Sequence, residues 1–584
     1  MRYDAMNTAT LPPFAAELVA WLAEHFPMAG EAALLGAGLV TSRAAEGHVC
    51  VDLQAEAGRY WNGEILPDWP TWRTALQSSG FVAGPGSFAP LILDGGKLYL
   101  ARLWADEQGL ADMLRQRAGP TALSPEVIRK VLTPLFAGAT ADDGQRLAAA
   151  TALLNRISLI SGGPGTGKTT TVAKVLAALV QLEPDSRIVL AAPTGRAAAR
   201  MVEALEGAKQ QLGLDLVTQA ALPNHAQTLH RLLGYRPDSA TPRHGLDNPL
   251  ALDALVVDEA SMIDLALFRR LLQALPAHAR LIMLGDRDQL ASVEAGSAFA
   301  ELVRLAGHTP EGAARLAAAS GAKRTAGLVS TPLSDGIALL THSHRFGADS
   351  GIGALARCAN AGDVQTALAV LRAGYTDVAW QAGRVAEWLP VMLAKLEPSL
   401  ADYRHAVGEG DVGRAFAAFN RLRLLCAVRE GPAGVAAVNR LIETRLLQQD
   451  IRRKPWYAGR PVIVRANETT LGLANGDVGI TLAGPDGLRV VFPSGEGWRA
   501  LAPARLPAHD TAFALTVHQS QGSEFAQVWL LLPDEEAAVL NRSLVYTALT
   551  RARGAVMLWG SGTTLAAGLG RETKRGSGLA ERLS

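Results

Sequence analysis

Between about residues 140 and 300 the chain alternates short apolar runs with longer segments of helical period. The runs fall at 157–160, 188–190, 255–257 and 281–284, and each passes at once into a polar or Gly-rich loop. That rhythm predicts a parallel α/β sheet. Ligands of such sheets sit outside the carboxyl ends of the strands, so the chemistry is expected in those loops. Upstream, 91–93 and 98–100 flank Asp94-Gly95-Gly96 and predict a β-hairpin. The stretch 120–134 reads as a boundary. A second α/β region is predicted from about Ala338, mainly helical over 349–420. Strand-like stretches from Pro461 to about Phe492, with the turn Asn475-Gly476-Asp477, predict a small β-barrel or hairpin insert. The α/β pattern resumes near Ala514 and runs to 556–558. The last twenty residues, polar and Gly-rich, are expected to be loosely ordered. The domain expectation is 1–135, 136–337, 338–456 with 512–584, and an insert over 457–511.

Composition narrows the class without choosing a function. At 584 residues the chain exceeds one hydrophobic core, and 49% hydrophobic with 19% charged residues excludes a mostly disordered protein. The most apolar run, 171–182, is short and carries Lys174, so no membrane span is predicted. Asp4 and Glu17 replace any basic-then-apolar export signal, and Cys50, Cys358 and Cys426 lack metal or disulfide spacing. A reduced, cytoplasmic protein is expected. The net charge of +1 gives no global field for nucleic acid, though a groove needs only local charge. Trp21, Phe26, Trp61, Trp69 and Trp72 crowd the N-terminal region, as a partner interface or simply as a small core. His25, His48 and His225 show no ligand spacing and read as structural.

Gly162-Gly163-Pro164-Gly165-Thr166-Gly167-Lys168-Thr169 fits G-x-x-x-x-G-K-[ST], between a predicted strand and a helix opening at Thr170. Its glycines let backbone N–H groups curl around a β-phosphate at a helix N-terminus. Lys168 would reach the β- and γ-phosphates, and the Thr169 hydroxyl would ligate Mg²⁺. Asp258 and Glu259 end the run at 255–257, as candidates for the metal side and for the general base. Gln289, in Gly285-Asp286-Arg287-Asp288-Gln289, is a γ-phosphate sensor or part of a charged turn. Pro193-Thr194-Gly195-Arg196 follows the second strand; it could grip nucleic-acid phosphates, and alone it is a helix start capped by Thr194. Arg345 and Arg551 suit arginine fingers only in company with the other groups.

Together these segments resemble the motif series of superfamily-one helicases, and within it the RecD family, alpha subunits of exodeoxyribonuclease V. The resemblance rests on GGPGTGKTTT, APTGRAAARM, TLHRLLG (228–234), VVDEASMID (256–264), LGDRDQLASVEAGS (284–297), THSHRF (341–346), ALTVHQSQGSEF (514–525) and SLVYTALTRAR (543–553). To these it adds Leu98 to Trp104 with Glu107. It implies two RecA-like domains with ATP and Mg²⁺ between them, a small N-terminal α+β domain, and an SH3-like insert. It implies 5′-to-3′ movement on single-stranded tails and duplex ends of DNA. RecB-like and RecC-like partners in double-strand-break repair follow from it, with the nuclease site outside this chain. Gln145 would read the adenine; Lys168, Glu259, Gln289, Arg345 and Arg551 would be catalytic. Thr516, His518 and Gln519, with Gly522 and Glu524, would couple DNA to nucleotide state. His230 stays open between a structural role and a DNA contact. The loop 235–249 falls where a strand-separating pin is placed in the family. A freestanding helicase and an ATPase-inactive structural subunit are the alternatives.

Overall fold

The computed structural model describes residues 11–584 apart from 141, 237, 238, 240, 323, 324, 328–330, 348, 447–454, 469, 495 and 496. Two parallel sheets organise it. The first runs Ile337–Leu340, Ile157–Gly162, Arg280–Gly285, Ala254–Val257, Ile188–Ala192, Ala226–Thr228, every neighbouring pair parallel. All four predicted runs are strands of this sheet. Three of its four interior strands are buried along their whole length, which is why they read as mainly apolar runs. The second sheet runs Val378–Gln381, Ala552–Trp559, Phe525–Leu531, Leu422–Cys426, Ala514–Thr516, again all parallel. Between its strands lies a five-stranded antiparallel sheet, from Pro461–Val464 to His509–Thr511. The predicted hairpin forms as Leu91–Asp94 with Lys97–Leu100, Leu93 facing Leu98.

Three expectations are corrected. The boundary at 337/338 cuts into a strand: Ile337–Leu340 pairs with Ile157–Gly162, so the first sheet ends at Leu340. The boundary at 135/136 also fails, because amphipathic helices on its N-terminal side bury their apolar faces in the first sheet's cores. Ile128 and Leu132 of the helix Pro125–Leu135 pack with Leu176 and Leu153; Leu110 and Leu114 of Ala101–Arg117 pack with Phe268 and Leu271. The separate N-terminal core, around Leu22, Leu39, Trp72 and Phe81, ends near Leu98. Trp72 fills that core and donates to Ala32 O (2.8 Å), whereas Trp21 is 45% exposed and stacks on His25.

The third correction is the C-terminal segment, which is docked. Leu579 and Leu583 of the helix Leu579–Leu583 are buried in the first sheet's core. Glu107, fully buried on Ala101–Arg117, gathers the segment: it accepts from Arg582 Nε (3.0 Å), Ser577 Oγ (2.7 Å), the Gly578 N–H (2.9 Å) and the Tyr99 hydroxyl (3.1 Å). Glycine and polar residues here supply partners for a buried carboxylate, which a reading of composition takes for solvent exposure.

Glu301, beside this cluster, has its carboxyl pushed up to about 7 by burial, a hydrogen bond from Ser577 opposing and the charge of Glu107 adding to the rise. The folded protein therefore holds a proton there that the unfolded chain releases near its ordinary value, so stability falls as pH rises through that window. Glu301→Gln should raise the melting temperature by several degrees at pH 8 and change it little at pH 5, as read by differential scanning calorimetry.

Candidate active site

The strand Ile157–Gly162 delivers the phosphate loop at its carboxyl end, and Gly167 starts the helix Lys168–Leu182. Gly165 and Gly167 have φ of 75° and 81°, which glycine adopts without strain. They are also tightly packed: a Cβ on Gly165 would collide with Arg345, and one on Gly167 with Gln145. Lys168 Nζ donates to the carbonyls of Gly162 and Gly163 (3.1 Å for the latter), and Thr166 Oγ1 donates to Gly163 O (2.8 Å). Gln145 Nε2 reaches Thr166 O (3.3 Å) and lies 3.2 Å from His344 Nε2.

Asp258 and Glu259 follow the strand Ala254–Val257. Glu259 has φ of 52°, and with Asn62 it is one of two described non-glycine residues in the left-handed region. Its N–H donates to Asp258 Oδ1 (2.8 Å). Burial, then the charge of Glu259, raises the Asp258 carboxyl, with Lys168 and Arg200 pulling the other way. A strained residue beside a buried carboxylate is the kind of local cost that functional sites retain.

The second sheet's residues close on these loops. Ser343 Oγ donates to Pro164 O (3.1 Å) and the His344 N–H to Gly165 O (2.8 Å), so Arg345, expected within the second α/β region, sits on the interdomain segment stitched to the phosphate loop. Glu524 is the hub. Arg345 Nη2 donates to both its oxygens (2.9 and 3.0 Å), Arg553 Nε donates at 3.0 Å, and Arg200 Nη2 lies 3.1 Å away. Burial alone would raise its carboxyl; the charges of Arg200 and Arg345 and the hydrogen bonds from Arg345 and Arg553 hold it down at about 2. Tyr546 OH donates to Asp286 Oδ2 (2.8 Å), which also accepts from Gln289 Nε2 (3.2 Å). Thr547 Oγ1 and Gln521 Nε2 take the N–H and carbonyl of Leu290 (both 2.9 Å).

The result is a cleft of about 420 Å³ lined by Gly165, Gly167, Lys168, Thr169, Thr170, Asp258, Glu259, Gln289, Arg200, Arg345 and Arg551. A neighbouring cavity of about 460 Å³ takes in Gly162, Gly163, Pro164, Thr166, Asp286 and Tyr546. Buried Arg345 Nη1 and Arg551 Nε have no hydrogen-bond partner, and Arg551 is 2% exposed. Such orphaned guanidinium donors, with a glycine cradle and a lysine, fit a polyphosphate. The Thr169 hydroxyl and the Asp258 carboxylate share the cleft and fit one divalent cation beside it.

Of the residues expected to touch DNA, Thr516 and Gln519 are locked together (Gln519 N–H to Thr516 Oγ1, 3.2 Å) and line a separate groove of about 970 Å³. That groove also carries Arg429, Arg440, Arg460 and Arg465, scattered arginines with no motif to mark them. Thr194 caps the helix Gly195–Gln211 through the Ala197 N–H (3.2 Å), behind Pro193 and Gly195. Arg196, the second residue of that helix, is turned inward to Ser523 Oγ (2.7 Å), because Asp477 and the second domain face it; an outward phosphate grip is not the geometry here. Arg200, a turn further along the same face, was missed although the i, i+4 spacing in TGRAAAR displays it. His230 is exposed against the Tyr235 ring (centroids 5.0 Å apart), and burial lowers the His518 imidazole, followed by the charge of Arg429. In the loop 235–249, Gly245 and Asn248 form a β-bridge, while Pro237, Asp238 and Ala240 lie outside the described residues.

Two parallel-sheet domains facing each other across a phosphate loop, an acidic strand end and arginines from the far side define a two-domain P-loop motor ATPase. Family models agree along the chain: an AAA domain matches 145–295, a UvrD-like helicase C-terminal domain 511–559, and the RecBCD enzyme subunit RecD N-terminal domain 8–99. The RecBCD enzyme subunit RecD of Mycolicibacterium smegmatis is 41% identical over 92% of this chain and 91% of its own. That of Haemophilus influenzae is 34% identical over 88% and 84%. The ATP-dependent RecD2 DNA helicase of Deinococcus radiodurans is 30% identical over 74% of this chain and 50% of its own. The chain belongs to the RecD family.

Glu524 stabilises the fold above the ordinary glutamate range, and that contribution is lost as pH falls toward 2. Glu524→Gln should lower the melting temperature by several degrees at pH 7, since the arginines lose their counter-charge. The gap from the parent should close as the pH falls below about 4 in a calorimetric series.

Proposed function

We propose that this chain is the ATP-driven 5′-to-3′ DNA helicase subunit of a RecBCD-type helicase–nuclease. It works in the cytoplasm with RecB-like and RecC-like subunits and opens DNA ends for repair by homologous recombination. The observation that carries the reading is the single cleft that unites Lys168, Thr169, Asp258, Glu259 and Gln289 with Arg345 and Arg551. Among the described residues no helix is long and apolar enough to cross a membrane.

In this reading Gly165, Gly167 and the helix start at Lys168 hold the β-phosphate through backbone N–H groups, and Gln145 orients the base. Thr169 and Asp258 hold Mg²⁺, which when bound neutralises phosphate charge. Glu259 takes the proton of the attacking water; Lys168, Arg345 and Arg551 face the charge that builds on the γ-phosphate. Gln289 senses that phosphate and, through Asp286 and Leu290, passes its loss to Tyr546, Thr547 and Gln521 of the second domain. The single strand follows the groove of Thr516 and Gln519, where arginines meet phosphates without reading sequence. His230, His518 and the segment 193–195 complete the DNA path. The antiparallel sheet acts as an SH3-like insert on that path, and the N-terminal region, through exposed Trp21, meets the partner subunits.

The RecD2 relative favours one alternative, a freestanding helicase; the match to the RecD N-terminal model over 8–99 favours the subunit.

Purified with and without its partners, the chain should hydrolyse ATP in response to single-stranded DNA and displace strands from 5′-tailed but not 3′-tailed duplexes. Lys168→Gln should cut kcat by at least about 100-fold. Arg551→Ala should cut it by about 10³-fold or more with little change in nucleotide affinity. DNA-independent hydrolysis, or unwinding from the 3′ tail, would overturn the assignment.

A further inference from the structure

The C-terminal segment does more than fill a surface. Arg571 Nη1 anchors its start to the second domain at Leu540 O (3.0 Å). Four residues on, Arg575 crosses to the first domain and caps three carbonyls of one loop: Nη2 donates to Ser292 O (2.7 Å), Nη1 to Glu294 O (3.0 Å) and Gly296 O (3.1 Å). The next residue binds the N-terminal region, with the Val49 N–H donating to Gly576 O (2.7 Å) and the Gly576 N–H to His48 Nδ1 (2.9 Å). The strap ends on the buried Glu107–Arg582 pair. Thus one short stretch ties together the second domain, a loop of the first, and the N-terminal region.

The capped loop, 291–297, begins two residues after Gln289. Leu290 between them is held at both backbone groups by Thr547 and Gln521. Beyond the capped Ser292 the loop presents Val293, 76% exposed, then Glu294. Within the loop Ser292 Oγ donates to Glu294 O (3.1 Å) and Gly296 O (2.9 Å), so two of Arg575's three acceptors are already shared. The guanidinium lies against Gly47, where a Cβ would collide with it. Its burial lowers its proton affinity, yet three charge-assisted bonds are made, an investment in the loop's shape that a surface arginine does not show.

We propose that Arg575 is a positioning residue of the motor: it fixes loop 291–297 to the C-terminal strap that runs from the second domain to the first sheet's core, so that rearrangement at Gln289 is passed through the loop to that strap. The proposal rests on the reading that this cleft hydrolyses ATP in response to DNA. Arg575 lines neither the cleft nor the groove, and it reaches the DNA path only through its charge near His518. Its effect is therefore on coupling and not on hydrolysis itself. A lysine, with one compact donor group in place of the planar fork, cannot cap three carbonyls in this arrangement.

The test compares the full chain with Arg575→Ala and Arg575→Lys. Amide hydrogen exchange, which needs no activity, should speed up about tenfold or more across 291–297 in Arg575→Ala while the sheet strands stay protected. ATPase without DNA should stay within about twofold of the parent, whereas the maximal stimulation by oligo(dT) should fall about tenfold at an unchanged half-saturating DNA concentration, with Arg575→Lys intermediate. Unchanged exchange in the loop would overturn the proposal whatever the ATPase shows. So would full stimulation in Arg575→Ala, or equal losses of basal and stimulated rates, which mark a merely structural arginine. A parent chain with no DNA-stimulated hydrolysis would instead overturn the functional reading, leaving the exchange result to judge the strap.

Discussion

Positive charge without an equal supply of counter-charge is the constraint around which this molecule is arranged. Arg200 from the first domain, Arg345 from the interdomain segment, and Arg551 and Arg553 from the second converge on one cleft; Arg200, Arg345 and Arg553 share Glu524, whereas Arg551 donates only to the Ser523 carbonyl. Guanidinium groups cannot neutralise themselves by losing a proton, so a part-buried set of them must bring anions near. Glu524 answers some of that demand, and the orphaned donors of Arg345 and Arg551 leave the rest open. The cleft is therefore electrostatically incomplete in the way a phosphate-binding site between two domains must be.

At the cleft the domains meet mainly through polar contacts, with Leu290 of the first domain packed into the second sheet's core. Each parallel sheet has its own apolar core, and these cores fix the strands whose ends carry the chemistry. Across the cleft the links are Tyr546 to Asp286, Thr547 and Gln521 to Leu290, Arg196 to Ser523 and Arg200 to Gly522. Individually these are exchangeable for water at modest cost, whereas an apolar interface of similar size would not reopen. A motor that cycles needs the first kind.

Much of this was legible in the sequence because it depends on local pattern. Buried parallel strands leave short, mainly apolar runs, and a phosphate loop needs Gly165 and Gly167 at positive φ with Lys168 at a helix start. What stayed hidden depends on long-range partners. The strand Ile337–Leu340 reads equally well as the start of a second sheet until its pairing with 157–162 is seen. Arg196 looks like a surface grip until Ser523, more than three hundred residues away, is found in front of it. The C-terminal glycines and charges look solvated because nothing local announces that Glu107 waits for them inside. The groove arginines 429, 440, 460 and 465 carry no motif, and only folding gathers them.

If nucleotide closes this cleft by completing its charge, the distance between the two domains must change when it binds. Fluorophores on cysteines placed at exposed Gln210 and Arg414, both outside the cleft, would report it by energy transfer in the full chain. A non-hydrolysable ATP analogue with Mg²⁺ should shift the transfer to a new value, ADP should return it, and Lys168→Gln should abolish the response. An unchanged distance in a chain shown to bind the analogue would contradict that closure.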